Sequence, residues 1–155
     1  MKELWHAGED WFAPVNTPIN AVGEGVVTYV SPSWYDYKGA VVIIKHTLSD
    51  GSHIWSMYGH LDRNSITVSE GGQVKKDNLK IADRLYDWDW ANNTHLHWEM
   101  RYFPDGSGIK KAPDYMDTCS GPPGPGYTYP EHPDNFAVGK EPYHYTNPSA
   151  FVKAH

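Results

Sequence analysis

The sequence predicts a mainly β fold, and three features carry that prediction. Runs rich in β-branched and aromatic residues recur between Ile19 and Phe103, and turn signals containing glycine separate them. No apolar stripe of helical period runs longer than about two turns before residue 140.

Residues 26–30, 40–47 and 52–58 read as the first strong strands. Ser49-Asp50-Gly51 lies between the second and third, where a short hairpin loop wants a glycine able to adopt positive φ, so these two are expected to be antiparallel neighbours. His46 and His53 flank that turn and are expected to face each other as a cross-strand pair without catalytic consequence. Glu70-Gly71-Gly72 marks a further turn before Gln73-Val74-Lys75. Residues 79–82 read as a short strand and 94–103 as a longer one. The texture then changes: residues 104–142 hold eight of the chain's 12 prolines and the run Gly121-Pro122-Pro123-Gly124-Pro125-Gly126, and are expected to be an irregular excursion without strands. Asn147 followed by Pro148 is an N-cap with proline at the first helical position, which predicts a short helix over 147–153.

Composition narrows the function classes. With 155 residues the chain suits one domain, 1–155, and can bury a core without disulfide staples; Cys119 has no second cysteine to pair with. Seven Trp and eleven Tyr make it too rich in large apolar groups for a disordered acidic tail. The net charge is −6 and no basic run exceeds two residues, which argues against binding nucleic acid through phosphate contacts. The longest apolar stretch, Ala40-Val41-Val42-Ile43-Ile44, is far short of the roughly 18 residues of a membrane span. The first residues, Met1-Lys2-Glu3-Leu4-Trp5-His6, have no apolar core of the signal-peptide kind. A monomer without a membrane span or nucleic-acid partner is expected.

Nine histidines invite a search for metal spacing, and two clusters stand out: His6-x-x-x-Asp10 and His95-Leu96-His97. Residues two apart on a strand project to one face, so His95 and His97 can look into one cleft while Leu96 turns into the core. His6 and Asp10 can share a side in extended structure. With one imidazole of the second cluster they would supply two nitrogens and one oxygen, the donor set of a catalytic zinc site with an open fourth position. Each piece alone has a plainer reading, as a satisfied core histidine or a turn residue, and so does His60 in Tyr58-Gly59-His60-Leu61. Their joint occurrence carries the metal reading. Trp34, Tyr35, Tyr37, Trp88 and Trp90 read as core or rim packing, with stacking on sugar rings as the alternative.

In order and rough spacing these segments resemble the lysostaphin-type zinc metallopeptidases, the LytM-like or β-lytic family that cuts peptide bonds in bacterial peptidoglycan. The matching residues are His6-Ala7-Gly8-Glu9-Asp10, the stretch from Thr17 to Val27, Tyr58-Gly59-His60-Leu61 and His95-Leu96-His97-Trp98-Glu99, within a core of residues 6–103. The resemblance implies a small antiparallel β-sandwich or barrel-like sheet with the metal in an open groove. It implies that His6, Asp10 and His97 hold zinc (Zn2+), that His95 and His60 line the cleft as catalytic residues, and that a peptidoglycan peptide is the substrate. An extracellular or periplasmic location follows from where that substrate lies. A general base and then acid fits His95, and either His95 or His60 could donate a hydrogen bond to a developing oxyanion.

The chain departs from the family pattern in three places. The family has a glycine-rich segment before the His-x-His strand, whereas residues 82–94 here contain no glycine but Asp83, Arg84, Tyr86, Asp87, Trp88, Asp89 and Trp90. This predicts a bulkier, more acidic and more aromatic cleft wall, favouring peptides that carry an amine. Only five residues precede His6, where the family has a strand, as expected of a fragment or trimmed form. The 104–142 excursion lies outside the match. Two rival readings stand beside the enzyme: a non-catalytic module of the same fold that recruits or activates another wall hydrolase, and a zinc-free structural β-module.

Overall fold

The computed structural model describes residues 5–6, 8–31, 38–88, 92–101, 127–128 and 145–154. Among them strands dominate, in the order β1 (Trp5–His6), β2 (Glu9–Phe12), β3 (Ile19–Asn20), β4 (Gly25–Ser31), β5 (Ala40–Thr47), β6 (His53–Leu61), β7 (Gln73–Val74), β8 (Lys80–Ala82), β9 (His95–Arg101), β10 (Tyr127–Thr128) and β11 (Tyr145–Thr146). A 3-10 turn (Arg63–Ser65) follows β6, and one helix, α1 (Pro148–Ala154), ends the described chain. The expected mainly β, antiparallel fold is what the chain adopts. The main sheet runs β11-β9-β6-β5-β4-β7, all antiparallel, with β2 also on β9; β3 pairs with β8, and β1 with β10.

The β5–β6 hairpin forms where the turn signal predicts it. Gly51 sits at φ +84°, and the Asp50 carboxylate accepts from the Ser52 amide at 2.9 Å and its hydroxyl at 2.6 Å. The register differs from expectation by one residue: Thr47 faces His53 and His46 faces Ile54, so the His46–His53 pair does not form. The loop between the strands sets this offset, and a one-residue offset sends the two imidazoles to opposite faces. His46 turns inward, bonding the Glu24 carbonyl at 2.8 Å and the Ser56 hydroxyl at 2.7 Å.

Both faces of the sheet centre are covered, which is why β5 reads as an unbroken apolar run. One face carries Val27, Val42, Ile44, Ile54, Tyr58, Trp98 and Met100, packed in one core with Ile19, Ile81, Ala82 and Leu85. The other carries Val41, Ile43, Trp55 and Met57, with Tyr29 against them. On β9, alternation places Trp98 and Met100 on the first face, and His95, His97, Glu99 and Arg101 on the second.

The terminal helix is capped as predicted, Asn147 Oδ1 accepting from the Ala150 amide at 2.7 Å, and Phe151 joins the core. Ser149 donates to the Glu9 carboxylate through its hydroxyl at 2.6 Å and its amide at 3.1 Å, tying the helix to β2. The 104–142 excursion lies outside the described residues except for Tyr127–Thr128, which correct the expectation of no strand there by pairing with β1. Tyr and Thr are strand formers, and the edge of β1 gives them a partner. Trp34, Tyr35, Tyr37, Asp89, Trp90 and Cys119 also lie outside the described residues.

Candidate metal centre

The centre is assembled by laying β2 on β9. Their register sets Asp10 opposite His97 and Phe12 opposite His95, and directly opposed residues project to one face. The chain reaches this position through a close approach at Gly8, where a Cβ would stand 2.2 Å from the Trp98 carbonyl oxygen and 2.8 Å from Glu99 Cγ. Only glycine fits, and the tight passage brings His6 over the same spot. On the far side of β9, Gly59 of β6 faces His97 and adds no side chain of its own beside the imidazole.

Asp10 Oδ1 is the meeting point. It lies 3.1 Å from His6 Nε2, 2.8 Å from His97 Nδ1 and 3.8 Å from His95 Nε2. The donor atoms of His6, Asp10 and His97 all lie within 4.8 Å of one another, and no other such group occurs among the described residues. In a tetrahedral zinc site with bonds near 2.0–2.2 Å, donor atoms stand about 3.4 Å apart, so these three need only small adjustments to accept the ion. Two imidazoles and one carboxylate are also the right chemical types. The electrostatics agree: burial alone would lower His97, but its bonds to Asp10 and Glu99 push it up to about 9. Burial would raise Asp10, yet the His97 hydrogen bond and the surrounding imidazoles hold it near 2. Carboxylates that stabilise a protonated imidazole this strongly create a field favouring a cation.

His60 and His95 flank this cluster, ring centroids 4.6 Å apart. His60 owes its direction to a bulge in β6: opposite β5 the pairing steps from Val42–Tyr58 to Ala40–Leu61, and His60 takes φ 56°. This left-handed conformation is strained for a side-chain-bearing residue, by on the order of 1–3 kcal/mol. Its Nδ1 lies 2.6 Å from the Lys38 carbonyl, and His95 Nδ1 lies 2.7 Å from the Asn93 carbonyl. A carbonyl only accepts, so each Nδ1 carries the proton, and the neutral ring keeps its lone pair on Nε2. Burial pushes His60 down to about 4 despite the Lys38 bond.

Aromatic rings wall the cleft. Trp88 stacks on His95, centroids 5.6 Å apart and planes 18° apart, and meets His60 edge-on at 5.1 Å. Phe12, 66% exposed, lies across His95 at 5.4 Å. Of the charged groups in the same segment, Asp83 is bound by Lys80 at 2.7 Å, and the one cation, Arg84, is bound by Asp62 at 2.5 Å. Asp87 is exposed.

Two residues escaped the reading of the sequence as site residues. Glu99 Oε1 lies 2.7 Å from His97 Nε2, and Arg101 grips Glu99 Oε2 through both Nε and Nη2. Both side chains are fully buried. Burial would raise the Glu99 carboxyl, but Arg101 and His97 hold it well below the usual carboxylate range. The signal was available: His97-x-Glu99-x-Arg101 repeats a polar group at every second residue of a strand whose other face is core.

The family model for peptidase family M23 matches residues 5–111. The chain belongs to peptidase family M23. Over 108 residues it is 34% identical to the peptidoglycan DD-endopeptidase ShyC of Vibrio cholerae, a stretch making up 70% of this chain and 22% of that protein. This M23 chain therefore spans less than a quarter of that relative. Among solved structures it is similar to the catalytic domain of lysostaphin from Staphylococcus simulans, at 24% identity and TM-score 0.47, covering 62% of this chain and 66% of that one. It is also similar to Helicobacter pylori Csd3, at 25% identity and TM-score 0.45, covering 61% and 23%. Among the described residues no helix is long and apolar enough to cross a membrane.

Proposed function

We propose that this M23 peptidase is a zinc-dependent endopeptidase that hydrolyses peptide bonds in bacterial peptidoglycan, working outside the cytoplasm where that polymer lies. The observation that carries the reading is the convergence on Asp10 Oδ1 of His6 Nε2 and His97 Nδ1, with two further imidazoles beside them. His6, Asp10 and His97 would hold the ion. Zinc in such a set polarises a peptide carbonyl and makes water a nucleophile near neutral pH.

The remaining chemistry belongs to the chain's own side chains. His95, whose Nε2 lies 3.8 Å from Asp10 Oδ1, would take the proton of the attacking water and return it to the departing amine. The Asn93 carbonyl holds Nδ1–H throughout and stabilises the imidazolium that forms. His60, fixed in the same sense by Lys38, would offer a second Nε2 lone pair that accepts a hydrogen bond from the attacking water and helps orient it. Trp88 and Phe12, each against the His95 ring, would present flat surfaces to the substrate backbone.

Relatedness to a peptidoglycan DD-endopeptidase supports the substrate class. The test is to incubate the protein with purified peptidoglycans of different crosslink chemistry and identify new termini by mass spectrometry. New amino and carboxyl termini within the peptides are expected. A zinc-loaded protein that binds these polymers and cuts none of them would instead be a regulatory module of the same fold.

A further inference from the structure

We propose that Glu99 and Arg101 are positioning residues of the metal centre. The Glu99 carboxylate fixes His97 with its proton on Nε2, so that Nδ1 is free for the cation, and Arg101 holds that carboxylate in place. The proposal rests on the zinc reading above.

A neutral imidazole has one N–H, and whichever nitrogen keeps it cannot bind a metal. His97 Nδ1 faces Asp10 and His6; Nε2 faces Glu99 Oε1 at 2.7 Å. An ionised carboxylate only accepts, so the Glu99 contact requires the proton on Nε2. Arg101, always charged, binds the other Glu99 oxygen and orients the carboxylate.

Stability alone does not account for the pair. Glu99 and Arg101 are both 0% exposed, and their neighbours across the sheet are Met57 and Trp55 of the apolar second face. At such a place a pair of apolar side chains is commonly as stable as an ion pair, or more so. What apolar residues cannot do is orient His97 and raise its basicity, which is what a carboxylate behind a metal-bound histidine does.

The test measures zinc affinity by chelator competition alongside thermal melting. In Glu99→Gln the donor-only Arg101 takes the amide oxygen and turns the NH2 toward Nε2, reversing the tautomer. Zinc affinity should fall about 10- to 100-fold at unchanged side-chain volume. Glu99→Leu/Arg101→Met removes the pair together; where melting shows it folded, it should show the same loss. A purely structural role would keep wild-type zinc affinity in every variant that folds, and that result overturns the proposal.

Long-range proton–nitrogen NMR on the zinc-loaded wild type needs no variant: the His97 proton should reside on Nε2, and finding it on Nδ1 is equally fatal. His97→Ala separates the two readings. If the wild type binds zinc and His97→Ala does not, but the Glu99 variants bind normally, only the positioning role fails. If the wild type binds none, the zinc reading fails and takes this proposal with it.

Discussion

Gly8→Ala should damage the centre without touching any of its ligands. The φ of Gly8 lies outside the left-handed region, so the substitution introduces no backbone strain of its own; the difficulty is space. The new Cβ would meet the Trp98 carbonyl oxygen at 2.2 Å and its carbon at 2.9 Å, where ordinary contact begins at 3.4 Å. The Trp98 atoms are backbone within the β9 ladder and Glu99 Cγ stands beside them at 2.8 Å, so β2 must lift from β9 by about 1 Å. Overpacking of this kind costs about 1–3 kcal/mol, and at about 2–4 °C per kcal/mol for a domain of this size melting should fall by ~2–12 °C. The same lift carries His6 and Asp10 away from His97, and a displacement near 1 Å at reacting groups lowers turnover by about 100-fold. Calorimetry, zinc affinity and peptidoglycan turnover read the three effects. Gly23→Ala, with nothing within 4 Å of its Cβ, is the control and should match the wild type. If Gly8→Ala melts, binds zinc and cleaves as the wild type does, the close approach is not what positions the ligands.

His95→Ala should keep its zinc while turnover falls about 10²- to 10⁴-fold, and His60→Ala should fall in the same direction; elemental analysis with a turnover assay separates metal loss from lost proton transfer. His46 is held below the ordinary value of 6.5 by burial, partly opposed by its bond to the Glu24 carbonyl. As pH falls below 6.5 the unfolded chain protonates first, so this stabilisation is full above 6.5 and is lost toward the folded value. Denaturant unfolding should show His46→Gln with a shallower loss than wild type as pH falls below about 6.5, within the ~1.4 kcal/mol per pH unit one group can contribute. Asn147→Ala removes the helix cap and should lower stability by about 1 kcal/mol, seen as a drop of about 2–4 °C in melting.

The strands legible in the sequence are those whose residues are strand-like by themselves. β4, β5 and β6 span seven to nine residues rich in β-branched and aromatic types, and β9 alternates polar with apolar residues over seven, long enough for pattern to exceed noise. β1, β3, β7, β10 and β11 are two residues each, and β2 four; partners set them, not local propensity. The site divides the same way. His95 and His97 follow from period two, and His6 with Asp10 from spacing and family likeness. The bulge that turns His60 into the cleft has no local signature, nor do the Lys38 and Asn93 carbonyls, which act through backbone that any residue possesses. The His46–His53 pairing failed because hairpin register depends on loop length to within one residue.

The most direct test of the central claim is zinc content by elemental analysis of the purified wild type, His97→Ala and His95→Ala. The account predicts close to one zinc per chain in the wild type and in His95→Ala, and close to none in His97→Ala. Full zinc retention in His97→Ala, or its loss in His95→Ala, would contradict the assignment of His6, Asp10 and His97 as the ligands.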